Sequence, residues 1–220
     1  MTQAIAARNI RLHELKERFN LKRVDDEDFF SEWSGPFPEL THQEQSVLDR
    51  VKRNYLYLLD YPVMESIVKM VVLSPLLDLA GFYSPPFRVK GEMSVQVSAE
   101  DEGDRIQGSI DVLVLQQQLW VTVIEAKNSE FSVTKAIPQT LAYMLASPQP
   151  ERPTFGCVLN GSEFLFLKLV HAQNTERGPC YGQSNLFSLL NRGNDLYLVT
   201  QILKSLGQLA IAPPIQPKQA

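Results

Sequence analysis

Between Gly108 and Tyr143 the chain reads GSIDVLVLQQQLWVTVIEAKNSEFSVTKAIPQTLAY, and this stretch limits the possible folds more than any other. Two apolar runs, Ile106 to Leu115 and Leu119 to Ala126, flank a glutamine turn at Gln116 to Gln118. A connection that short makes the two strands antiparallel neighbours. The second run is almost unbroken apolar, as in a central strand covered on both faces. Asp111, Glu125 and Lys127 stand within or at the end of these strands. An unpaired charge in an apolar setting is costly, so three of them in neighbouring strands mark a site.

Side chains alternate along a strand, which puts Glu125 and Lys127 on one face. Thirteen residues separate Asp111 from Glu125, so both fall near the same end of the hairpin. Two carboxylates converging there make an oxygen-ligand site for a hard divalent cation, magnesium above all. A lysine beside them can orient a water or neutralise developing charge. Together these groups suit hydrolysis of a phosphodiester. The structural alternative is a set of solvated strand-end charges, with Glu125 and Lys127 as a same-face ion pair of about 0–1 kcal/mol.

The remaining elements follow from periodicity and punctuation. Residues 1–40 read as a helical arm and linker, with Ile10, Leu12, Leu15 and Phe19 at helical spacing and a Gly/Pro connector before residue 41. Thr41 followed by Glu44 is a capping box that opens a helix running to the Tyr61-Pro62 break. A second helix carries Met64, Ile67, Val68, Val71 and Val72, with Pro62 in its first turn and Pro75 ending or kinking it. Phe87 to Val97 is a strand with Gly91 as a possible bulge. After the central hairpin, a helix spans Val133 to Leu145, kinked at Pro138 or regular only from near Ala136. Thr154 to Leu159 and Phe164 to Val170 form a hairpin around Asn160-Gly161, and a last helix covers Asp195 to Leu206. The order of helix, three strands, helix, two strands and helix predicts an α/β (α+β) fold, a central mixed sheet of about five strands flanked by helices. The tail 209–220 is Pro-rich and loose.

Other chemistries find no footing. A net charge of −4 provides no overall basic field, although a local patch would suffice for nucleic acid. Two cysteines are too few for a disulfide framework and suit a reducing cytosol. His13, His42 and His171 have no metal-ligand spacing, and phosphate-loop, dinucleotide and nucleophile-elbow motifs are missing. The most apolar stretch, Met64 to Leu79, is interrupted by Glu65, Lys69 and Asp78 and is not expected to enter a membrane. No export signal is read at the N-terminus, and the expected location is the cytoplasm of a bacterium.

The pattern of Asp111, thirteen residues, then Glu125-Ala126-Lys127 resembles the PD-(D/E)xK nuclease superfamily, the restriction-endonuclease-like fold. Gln139 and Tyr143 match its Q-x-x-x-Y pair and share a helix face at i, i+4. Glu65 matches the acidic residue that many members place in the preceding helix. The run FGCVLNGSEFLFLKL is similar to the closing hairpin of the nuclease domain at the N-terminus of type I restriction motor subunits. The resemblance covers roughly 41–208, read as the nuclease-like domain. Ile110 stands where the family name has Pro, a frequent replacement, and no helicase portion is read, so a complete motor subunit is not expected.

The resemblance implies a role for each matching position. Asp111, Glu125 and the main-chain carbonyl of Ala126 would ligate Mg2+, with Mn2+ as a substitute, and Glu65 would join them directly or through water. Lys127 would position the attacking water. Gln139 would orient the site or contact the DNA backbone, and Tyr143 would support it. The implied activity is a magnesium-dependent deoxyribonuclease acting on DNA, with a homodimer possible. The alternative is a catalytically silent module of nuclease fold that binds nucleic acid or a protein. Single residues keep structural readings too: Glu65 as the i, i+4 partner of Lys69, Tyr143 as a packed helix residue, and Gln139 as a solvated one.

Overall fold

The computed structural model describes residues 4–33, 36–98, 105–116, 119–171 and 178–212. Most of the expected glutamine turn, the acidic turn near 101 and the final Pro-rich residues lie outside them. The elements run β1 (Ala4–Ala6), α1 (Leu12–Phe19), β2 (Lys22–Arg23), α2 (His42–Leu58), α3 (Glu65–Val68), α4 (Ser74–Leu79), β3 (Phe87–Ser98), β4 (Arg105–Gln116), β5 (Leu119–Ala126), α5 (Ile137–Leu145), β6 (Thr154–Leu159), β7 (Glu163–Val170), β8 (Cys180–Gln183), β9 (Phe187–Ser188) and α6 (Leu196–Ile211).

One mixed sheet joins the strands in the order β1-β4-β5-β6-β7-β8-β2, with β3 also on β4 and β9 on β7. The five expected strands form its body, and four short strands are added to them. β5 and β6 run parallel, joined by the α5 crossover, and the body is otherwise antiparallel. Helices cover both faces. On one side α2, α3, α4 and α6 bury Leu48, Val68, Leu76 and Leu203 against Ile124 and Phe166 of the sheet. On the other, α1 and α5 bury Leu15 and Leu141 against Val123 and Leu167. The central β5 is covered from both sides, as its unbroken apolar run requires.

The segment read as an arm enters the sheet at two places. β1 pairs in parallel with the start of β4, along the edge that β5 leaves free, and β2 pairs with β8. Lys168 of β7 fixes the turn after β2, bonding the Phe29 carbonyl at 2.7 Å and Glu32 at 2.6 Å.

Helix starts follow their capping chemistry. The Thr41 hydroxyl accepts the Glu44 N–H at 3.3 Å, and the Glu44 carboxylate accepts the Thr41 N–H at 2.7 Å. Pro62 lies ahead of the second helix rather than inside its first turn. Val63 is tied to Ser129 instead, its N–H reaching the Ser129 hydroxyl at 2.9 Å and its carbonyl accepting the Ser129 N–H at 3.0 Å. Pro75 does not end the helix. It opens α4 directly after a wide π-type turn at Lys69–Leu73. At the far hairpin Gly161 takes φ +93°, and any Cβ there would collide with the Tyr55 ring, whose hydroxyl donates to the Asn160 carbonyl at 2.8 Å.

Candidate metal centre

Asp111 sits at an irregularity that the alternation of the sequence hides. The β3–β4 ladder pairs Gly91 with Val112 and Met93 with Ile110, leaving Glu92 and Asp111 unpaired between them. Glu92 takes φ +51°, the left-handed conformation, one residue beyond the expected bulge at Gly91. The packing switches faces there. Phe87, Val89 and Val112 contribute to the core under α2 and α6, whereas Met93, Val95 and Ile110 contribute to the core under α5. Such breaks re-aim side chains next to functional sites.

On the other edge of β4, the last pair with β5 is Val112–Ile124. One step further places Asp111 opposite Glu125. There the Asp111 carboxylate replaces the ladder, its Oδ2 accepting the Ala126 N–H at 2.9 Å. Two carboxylates thus face each other at the strand end, as the hairpin arithmetic predicts.

Glu125 is 1% exposed. Its Oε1 receives Lys127 Nζ at 2.5 Å, from the residue just past the end of β5. Its Oε2 is buried with no hydrogen-bond partner. Burial, with the nearby Asp111 charge adding to it, pushes the carboxyl up to about 7 against the pull of Lys127. Asp111 is also raised, by burial first and by the Glu65 charge, while the hydrogen bonds from Lys69 and Ala126 oppose the rise. Lys127 also lies 5.7 Å from the centroid of the Phe131 ring.

Glu65 reaches the site through a residue that the sequence pairs only with Glu65. Lys69 Nζ lies 2.7 Å from Glu65 Oε1 and 3.0 Å from Asp111 Oδ1, bridging the two. Burial works to lower the Lys69 pKa, but its bonds to Glu65 and Asp111 outweigh this and raise it. The π turn makes this reach possible. In an uninterrupted α-helix Glu65, Lys69 and Leu76 would share a face, being spaced i, i+4 and i+11. The extra residue, marked by the Ser74 N–H bonding the Lys69 carbonyl, turns Leu76 away by about 100°. Leu76 is thereby buried at 1% exposure while Lys69 faces Asp111. The i, i+4 ion pair was legible in the sequence, but its third partner, 42 positions on, was not.

From the opposite core, α5 brings Gln139 and Tyr143. Gln139 Nε2 donates to the Tyr143 hydroxyl at 2.9 Å. The Tyr143 hydroxyl lies over Gly108 of β4, where a Cβ would come within 2.6 Å of it. Burial pushes the phenol up to about 12; the Gln139 bond pulls against this, and the Glu125 and Asp111 charges add to it.

The donor set fits a divalent cation at Asp111 and Glu125. Both offer hard oxygens, and the orphaned Glu125 oxygen is a buried acceptor with nothing to accept from. Glu65 does not complete a cage with them. Among the described residues no three His, Cys, Asp or Glu side chains form a metal-binding group, and Lys69 stands between Glu65 and Asp111.

The mixed sheet with helices on both faces defines a restriction-endonuclease-like fold. A family model described as the type I restriction enzyme R protein N terminus matches residues 18–175, and the chain belongs to that family. This makes it a nuclease-type restriction-enzyme domain. A search of curated proteins found no match. Among the described residues no helix is long and apolar enough to cross a membrane.

Proposed function

We propose that this chain is a magnesium-dependent deoxyribonuclease whose centre is built on Asp111, Glu125 and Lys127. The single observation that carries the reading is Glu125: a buried carboxylate with one oxygen on Lys127, the other without a partner, and Asp111 opposite. Asp111 and Glu125 would hold Mg2+ or Mn2+, with the Ala126 carbonyl as a third oxygen and Glu65 as an outer acidic group. When bound, the cation supplies Lewis-acid charge at the scissile phosphate.

The protein's own groups divide the remaining work. Lys127, held by Glu125 and flanked by Phe131, orients the attacking water and balances negative charge on the phosphate. Gln139, fixed by the Tyr143 hydroxyl, aligns the substrate backbone from the α5 side. Burial of Glu125, with Asp111 partly covered beside it, lowers the local dielectric and strengthens these interactions. DNA is the proposed partner, a bacterial cytoplasm the proposed setting, and a homodimer would supply two sites for paired cuts.

The test is cleavage of duplex, single-stranded and branched DNA with and without Mg2+ or Mn2+. Cation-dependent cutting is expected, with Asp111→Ala and Lys127→Ala each reducing it at least about 100-fold while the fold is retained. Folded protein that cuts none of these substrates with either cation would contradict the reading. One observation favours a second reading, the catalytically silent module: Lys69 already bridges Asp111 and Glu65 from within the chain. Silence toward both DNA cleavage and cation binding would select it.

A further inference from the structure

Resting on the divalent-cation reading above, we propose that Lys69 is an internal counter-ion of the metal-free site, which holds Asp111 and Glu65 in place and releases Asp111 when a cation binds. The geometry separates the two lysines of the centre. Lys127 engages Glu125 Oε1 and leaves Oε2 without a partner. Lys69 engages Asp111 Oδ1, while the other Asp111 oxygen is committed to the Ala126 N–H. A cation that takes both Asp111 and Glu125 therefore meets Lys69 and not Lys127.

An ammonium and a divalent ion cannot share one carboxylate oxygen closely without strong like-charge repulsion. The charge balance agrees. Three carboxylates and two ammoniums give the metal-free centre a formal charge of −1. A bound divalent ion would leave it at +1 with Lys69 in place and at 0 with Lys69 withdrawn. Lys69 also has somewhere to go. Its side chain is 27% exposed and its second partner Glu65 is 40% exposed, so the pair opens toward solvent. The flexible lysine stem can swing its ammonium off Asp111 toward solvent while Glu65 stays at the centre.

Mn2+ titration calorimetry of the full chain and of Lys69→Met decides this. The variant keeps the length of the stem and removes the charge, and it should bind Mn2+ at least about tenfold more tightly than the wild type. Equal or weaker binding by the variant, with the wild type binding, overturns the role of Lys69 and leaves the cation reading standing. Binding by neither protein overturns both. Should Lys69→Met fail to fold, the wild type still answers. Its Lys69 ammonium resonance, assigned by comparison with Lys69→Arg, should shift on saturation with Mg2+, and an unmoved resonance at saturation overturns the proposal.

Discussion

The decisive residue is Glu125, because its environment disagrees with its charge. Its folded pKa of about 7 lies above the ordinary 4.5, so the native chain keeps a proton that the unfolded chain has already released. Between those values the unfolded state binds fewer protons, and the metal-free protein loses stability as pH rises from about 4.5 through 7. The displacement corresponds to roughly 3 kcal/mol, or about 6–12 °C in Tm for a domain of this size. Glu125→Gln removes this penalty. In thermal unfolding with chelator present, the variant should exceed the wild type by several degrees at pH 8 and match it near pH 4.5. A constant difference across that range would show that Glu125 titrates normally. The position of Glu125 was legible because strand alternation fixes its face with Lys127. Its unpartnered oxygen was not, since that depends on what α3 and α5 bring from either side.

At the scale of elements, the site is the meeting of one strand end with two helices, and close approach sets the tolerances. The Tyr143 ring can rest on β4 only because residue 108 has no Cβ. Gly108→Ala should push Tyr143 aside, cost about 1–3 kcal/mol of stability by overpacking, and loosen Gln139. Thermal unfolding with a cleavage assay measures both effects; an unchanged Tm and rate would show that Tyr143 is free to move. Two features of these elements escape a reading by periodicity. Phe87, Val89, Met93, Val95 and Val97 share one parity and read as one face, yet the turn of backbone at Glu92 divides them between two cores. The π turn is similarly silent, because the shared face of Glu65 and Leu76 is broken only by an extra residue that no spacing marks.

For the whole molecule, the hairpins, the βαβ crossover and the long helices announce themselves through turn chemistry and apolar runs. The shortest strands do not. β1 and β2 have three and two residues, too few to show alternation, and they are strands only because β4 and β8 offer them free edges. Residues read as an arm thereby close both ends of the sheet path. Removing residues 1–24 should expose those edges, with a lowered Tm and concentration-dependent association in light scattering. A truncated chain as stable and as monodisperse as the full one would mean that the sheet does not need them.

Every role proposed for the centre depends on Asp111 and Glu125 being a cation site. Anomalous diffraction from a crystal soaked in Mn2+ tests this most directly. The predicted result is a peak within bonding distance of Asp111 and Glu125 Oε2, with Lys69 withdrawn from Asp111. A map with no peak there, Lys69 still bridging Glu65 and Asp111 at saturating Mn2+, would contradict it.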